Sequence, residues 1–158
     1  MQRLRRMLEP IIRPLIRCHL RISHSKTLGV RAIVIDETDR VFLVKHSYVS
    51  GWYLPGGGVE IGESALSALV RELAEEGNIQ LTGVPRLHGI FLNKRTSQRD
   101  YIVLFVVREF RQDEPPLPNR EIVAHGFFSR DALPEETSRA TRARIVEVFN
   151  SQTVSELW

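Results

Sequence analysis

The chain has 158 residues, 42% of them hydrophobic and 26% charged. That is ordinary globular usage for about one domain, and it excludes a wholly disordered chain or a polytopic membrane protein. The formal charge of +3 and pI of about 9.4 point at face value to an anionic partner, but residues 1–26 hold seven basic residues against Glu9 alone, whereas the remainder holds 15 basic against 18 acidic, a balance of −3.

In the basic head, Arg13 and Arg17 interrupt the apolar residues Ile11, Ile12, Leu15, Ile16 and Leu20. This leaves neither a signal-peptide core nor a stretch long enough to span a bilayer. Residues 1–26 are expected to form an N-terminal arm or helix, packed on its own domain or on a second copy. A homodimer through the arm is one outcome. Pro10 and Pro14 argue against a continuous amphipathic helix on a membrane surface. Cys18 is the single cysteine, which rules out an intramolecular disulfide and Cys-rich zinc sites and fits a reducing, cytoplasmic location. The histidines at 19, 24, 46, 88 and 125 show no metal-ligand spacing.

Residues 27–158 read as a single domain. Leu28–Asp36 is apolar and β-branched, residues 37–40 form a polar turn, and Val41–Lys45 reads as the returning strand of a hairpin. Trp52–Leu54 is a short extended piece before Pro55, and Gly56, Gly57 and Gly58 allow close backbone approach to a ligand. Residues 63–77 have helical spacing, with Leu66, Leu69, Val70 and Leu73 as the expected core stripe. Leu87–Leu92 and Tyr101–Phe110 flank a polar tip and predict a second hairpin. Glu121–Phe128 predicts another strand. A last helix is expected from about Thr137 to Phe149, with Thr137 or Ser138 as N-cap. Hairpins interrupted by two helices predict an α+β domain, an α/β/α sandwich with a mixed β-sheet between helices.

Chemistry concentrates in the second half of the first helix. Glu75 lies about 60° to one side of Glu72, and Glu76 about 40° to the other. Three carboxylates on one arc repel at about 0.2–0.5 kcal/mol per pair on an isolated helix, near the end where the helix dipole also disfavours negative charge. A solvated acidic face is the plain reading. The alternatives are compensation by Arg71, one turn from Glu75, or by a divalent cation, for which clustered oxygen donors suit Mg²⁺ or Mn²⁺ better than zinc.

The spacing Gly57, Glu63, Arg71-Glu72-Leu73, Glu75-Glu76, Ile79 resembles the Nudix box, G-x5-E-x7-R-E-U-x-E-E-x-G-U, with U apolar. The one departure is Asn78 in place of the final Gly. Asn is the commonest other residue in the left-handed conformation that a helix end requires, so the carboxylates are unaffected. The resemblance covers residues 28 to 150 and leaves the basic head outside.

The resemblance implies a Nudix-like fold and Mg²⁺-dependent hydrolysis of a phosphoanhydride bond in a nucleoside diphosphate linked to another moiety, with Mn²⁺ as the alternative metal. It implies Glu75 and Glu76 as core metal ligands, Glu72 as a further ligand or orienter of water, and the Gly56 carbonyl as completing the metal site. Arg71 would pair with a box carboxylate, Glu63 would fix the loop–helix junction, and Glu121 would supply a carboxylate from outside the box. Arg31, Lys45, Lys94 and Arg95 are candidates to meet substrate phosphates, and Trp52 and Tyr53 candidates to stack on a base. The downstream stretch Asn93–Thr96 has neither the Pro nor the Tyr that marks particular subfamilies. The expected partner is a small nucleotide derivative rather than nucleic acid. The alternatives are an RNA 5′-end pyrophosphohydrolase that grips phosphates with the head, and a non-catalytic nucleotide-binding module on the same fold.

Overall fold

A computed structural model describes residues 26–117 and 119–158. The expected N-terminal arm therefore lies, apart from Lys26, outside the described residues. The elements are β1 (Thr27–Val34), β2 (Arg40–His46), α1 (Ala65–Gly77), β3 (Gln80–Leu81), β4 (Arg86–Leu92), β5 (Asp100–Val107), β6 (Phe110–Arg111), β7 (Ile122–Ser129), a 3-10 turn (Arg130–Ala132) and α2 (Arg139–Phe149).

β5 is the centre of a mixed sheet, parallel to β1 and antiparallel to β4. Alternate residues of β1 and β5 face opposite sides. Val30, Ala32, Val34, Val103, Phe105 and Val107 meet Ala68, Leu69 and Leu73 of α1. Ile33, Leu104 and Val106 join a second cluster with Ile145 of α2. Both faces are thus apolar and covered, giving the expected helix–sheet–helix layering. β2 pairs antiparallel with β7, and the two-residue strands β3 and β6 pair with each other.

The first expected hairpin does not form. A tight turn does follow β1, with the Asp36 carboxylate accepting from the Thr38 and Arg40 amides, but β1 and β2 form no ladder, and only the isolated bridge Ile35↔Val41 lies beside the turn. The β1 edge that a hairpin would use is taken by the glycine loop. Val30 N–H donates to Gly57 O at 2.8 Å, Ala32 N–H to Pro55 O at 3.0 Å, and Val59 N–H to Leu28 O at 2.8 Å. That substitution fixes the loop on the sheet.

The second hairpin forms as β4 and β5, but its second strand stops at Val107, and Phe110–Arg111 pairs with β3 instead. The core stripe of α1 also differs from expectation. Leu69 and Leu73 are buried, yet Leu66 and Val70 are 46% and 45% exposed. The helix is rotated so that Ala68, Glu72 and Glu76 are buried in their place. α2 starts as expected, Ser138 accepting from the Thr141 amide.

Candidate active site

The site is built where the glycine loop crosses α1. Gly56 has φ +134, and a Cβ there would stand 2.2 Å from the Val30 carbonyl oxygen, so only glycine fits. Its N–H donates to Glu76 Oε2 at 2.6 Å. Its carbonyl accepts from the Arg31 guanidinium, which also reaches the Leu54 carbonyl. A Cβ on Gly57 would lie 2.4 Å from Glu72 Oε1, so the loop lies directly against that carboxylate. Ser64 caps the start of α1. Asn78 ends it in the left-handed conformation, φ 50 and ψ 35, with its N–H on the Ala74 and Leu73 carbonyls. The Asn therefore does what the missing Gly would do.

Arg71 gathers one half of the acidic cluster. It contacts both oxygens of Glu63 at 3.1 Å, Glu72 Oε1 at 2.7 Å and Glu75 Oε2 at 3.4 Å, and donates to the Gly58 carbonyl at 3.0 Å. Bidentate pairing is what the planar guanidinium provides. Arg71 pulls Glu63 below the usual carboxylate range, helped by the Glu60 N–H. Glu76 is beyond its reach. Burial pushes Glu76 up to about 7, the Gly56 N–H and Arg31 acting against the shift and the Glu72 and Glu121 charges adding to it.

Two residues outside α1 converge on Glu76. The β2–β7 register shifts between Lys45 and His46, setting His46 opposite Ile122, next to Glu121. One ligand atom each from His46, Glu76 and Glu121 all lie within 4.8 Å of one another. His46 Nε2 is 3.6 Å from Glu76 Oε1, and its buried Nδ1 has no hydrogen-bond partner. Burial, then the Arg31 charge, hold the imidazole below its usual value, with Glu121 opposing. The Tyr48 hydroxyl donates to Glu121 Oε1 at 3.3 Å.

His46 is not among the residues expected at the site. The signal was the strand alternation: Phe42, Val44 and His46 share the face toward α1. The other candidates scatter. Lys45 pairs with Glu136 at 2.8 Å. Trp52 packs edge-on against Phe128, their ring centres 4.9 Å apart, beside the second core cluster. Tyr53 donates to the Ser50 carbonyl and lines a neighbouring recess. Arg31 alone of these four borders the cleft of about 450 Å³ that holds Glu72, Glu76, Glu121 and the glycine loop.

The family model described as NUDIX domain matches residues 25–149. The chain belongs to the Nudix family. It is 38% identical over 79 residues to diphosphoinositol polyphosphate phosphohydrolase 2 of Mus musculus, a match covering 49% of this chain and 44% of that one. It therefore spans less than half the length of this curated relative. Among solved structures, a MutT Nudix hydrolase from Burkholderia pseudomallei is 25% identical with a TM-score of 0.67, covering 78% of this chain and 98% of that one. An ADP-ribose pyrophosphatase from Streptococcus suis is 27% identical with a TM-score of 0.63, covering 83% and 97%.

Nudix hydrolases typically use divalent metals, and the residues present fit such an ion. Glu76 is 4% exposed, and among the described residues no lysine or arginine lies within 4.0 Å of its carboxylate. The orphaned Nδ1 of His46 belongs to the same buried group. A buried carboxylate without a charge partner is costly, and a divalent cation on carboxylate and imidazole donors would offset that cost.

Proposed function

We propose that this chain hydrolyses a phosphoanhydride bond in a nucleoside diphosphate linked to another moiety, using Mg²⁺ or Mn²⁺. The observation that carries the reading is the convergence of Glu76, Glu121 and His46 beside the Arg71-braced glutamates of α1. Glu72, Glu75 and Glu76 would hold the ion, with His46 as a nitrogen donor the sequence reading did not include. When bound, the ion supplies positive charge against the diphosphate and acidifies the attacking water.

The remaining work falls to the chain itself. Arg71 orients Glu72 and Glu75, a positioning role. Glu121, its carboxylate steadied by the Tyr48 hydroxyl, ligates the ion or accepts the proton of the attacking water. Arg31 neutralises phosphate charge. It also donates to the Gly56 carbonyl, whose second lone pair stays open to a metal.

The substrate is a small nucleotide derivative. Among the described residues no helix is long and apolar enough to cross a membrane. The single Cys18 supports a reducing, cytoplasmic setting. The family match begins at residue 25, which supports treating residues 1–26 as an arm apart from the domain 27–158.

The test is a screen of nucleoside di- and triphosphate derivatives with Mg²⁺ and Mn²⁺, reading phosphate or nucleotide release. Glu75→Gln and Glu76→Gln should each abolish metal-dependent turnover while circular dichroism stays unchanged. Undiminished activity in both variants would mean that the metal site is wrongly placed.

A further inference from the structure

The cleft beside the box does not end at Arg31. Past Arg31, Asn93, Thr96 and Ile102 it continues into a second recess of about 690 Å³. Three more arginines line this recess: Arg95 from the β4–β5 tip, and Arg139 and Arg142 from the first turn of α2. Among the described residues its carboxylate side chains are Glu135 and Glu136, and Lys45 already pairs with Glu136 at 2.8 Å.

This concentration is not the background charge of the domain, since residues 27–158 are net −3. The arginines are also not committed to one another's neighbours in the same way. Arg142 is fastened to the loop before α2, its Nη2 on the Pro134 and Glu135 carbonyls and its Nε on the Thr137 carbonyl. It is a fixed cation, with no carboxylate within 4.0 Å among the described residues. Arg95 and Arg139 are exposed, and neither has a carboxylate within 4.0 Å among the described residues. Guanidinium groups match phosphate oxygens with a planar fork, and one already held in place loses less freedom on binding.

We infer that this recess is a second anion subsite. It takes a phosphate carried by the moiety beyond the scissile diphosphate, so the preferred substrate class has a phosphorylated distal group rather than a neutral sugar. Arg31, bordering both cavities, links the two subsites. The inference rests on the diphosphate-hydrolysis reading for what occupies the first cleft, but the recess can be tested without turnover.

Inorganic tripolyphosphate is the probe, titrated calorimetrically into the full chain in EDTA at low salt. Arg95→Gln/Arg139→Gln should weaken binding at least about tenfold, equivalent to about 1.4 kcal/mol. Both positions are exposed, so the fold should be untouched. A control with the same charge change elsewhere, Arg108→Gln/Arg111→Gln, should bind like the wild type. An isotherm for the first variant that superimposes on the wild-type one overturns the proposal. So does an equal loss in the control, which would report only overall charge, and so does absence of millimolar or tighter binding in the wild type. Glu76→Gln separates the two readings: it should lose hydrolysis yet keep tripolyphosphate binding. If it keeps hydrolysis while the arginine variant loses binding, the metal-site reading falls and the recess stands.

Discussion

Glu76 carries the largest electrostatic penalty in the site. Its carboxyl sits at about 7 in the folded protein against an ordinary value of 4.5, chiefly because it is buried. Between those two values the unfolded chain has released this proton and the folded chain keeps it, so metal-free stability falls as pH rises through that window. Above it the penalty is roughly 3 kcal/mol, at about 1.36 kcal/mol per unit. In EDTA, Glu76→Gln should therefore be more stable than wild type by that order at pH 8 and nearly equal at pH 4.5, as read by urea unfolding. Equal stability at both values would mean that burial does not strain this group. Such a penalty is the expected cost of a carboxylate kept ready for a cation.

Among the elements, the crossing of the glycine loop and α1 decides where the carboxylates stand. Gly57→Ala puts a methyl into the Glu72 carboxylate. It should weaken Mn²⁺ binding by about 10- to 100-fold, the scale seen when a support of a metal ligand is lost. The helix caps, which do not involve Gly57, should hold the far-ultraviolet spectrum constant. The opposite end of α1 is governed by backbone conformation. Asn78→Ala should cost about 1–2 kcal/mol in chemical denaturation because alanine resists the left-handed region. Asn78→Gly should be close to neutral, the easier backbone offsetting the lost side-chain bond to the Glu114 carbonyl.

At the scale of the molecule, α2 and the segment after it close the face of the sheet away from α1. Arg144 and Glu147 are 4% and 6% exposed and pair at 2.7 Å. Arg144 also donates to the Leu157 carbonyl and lies over the Phe91 ring, and Glu147 Oε1 accepts from the Ser155 amide. These contacts hold residues 155–158 along β4, where Leu92 N–H meets the Glu156 carbonyl and Trp158 N–H the Leu92 carbonyl. Glu147→Leu leaves Arg144 buried without its partner and should cost about 3–5 kcal/mol in urea unfolding. Arg144→Leu/Glu147→Leu should recover much of that loss, because no unpaired guanidinium remains, although His88 still loses its contact with Glu147.

The amino-acid sequence by itself determined the loop–helix motif, the family resemblance, the layered α+β fold and the capping role of Asn78. Each of these rests on local spacing or backbone preference. What it could not determine was which strand edge meets which. Hydrogen-bonding edges carry no residue signature, so β1 and β2 read as a hairpin although the glycine loop fills that edge. The rotation of α1 also differs from the expected stripe of Leu66, Leu69, Val70 and Leu73, because periodicity marks an apolar face but not which of its flanks the loop and sheet cover. Here Glu72 and Glu76 are buried while Leu66 and Val70 are exposed. The pairing of β2 with β7 brings His46 beside Glu76 and Glu121 from positions 30 and 45 residues away from Glu76 in the chain. Only tertiary structure makes that meeting, and with it the recess in which Arg95 and Arg139 come together.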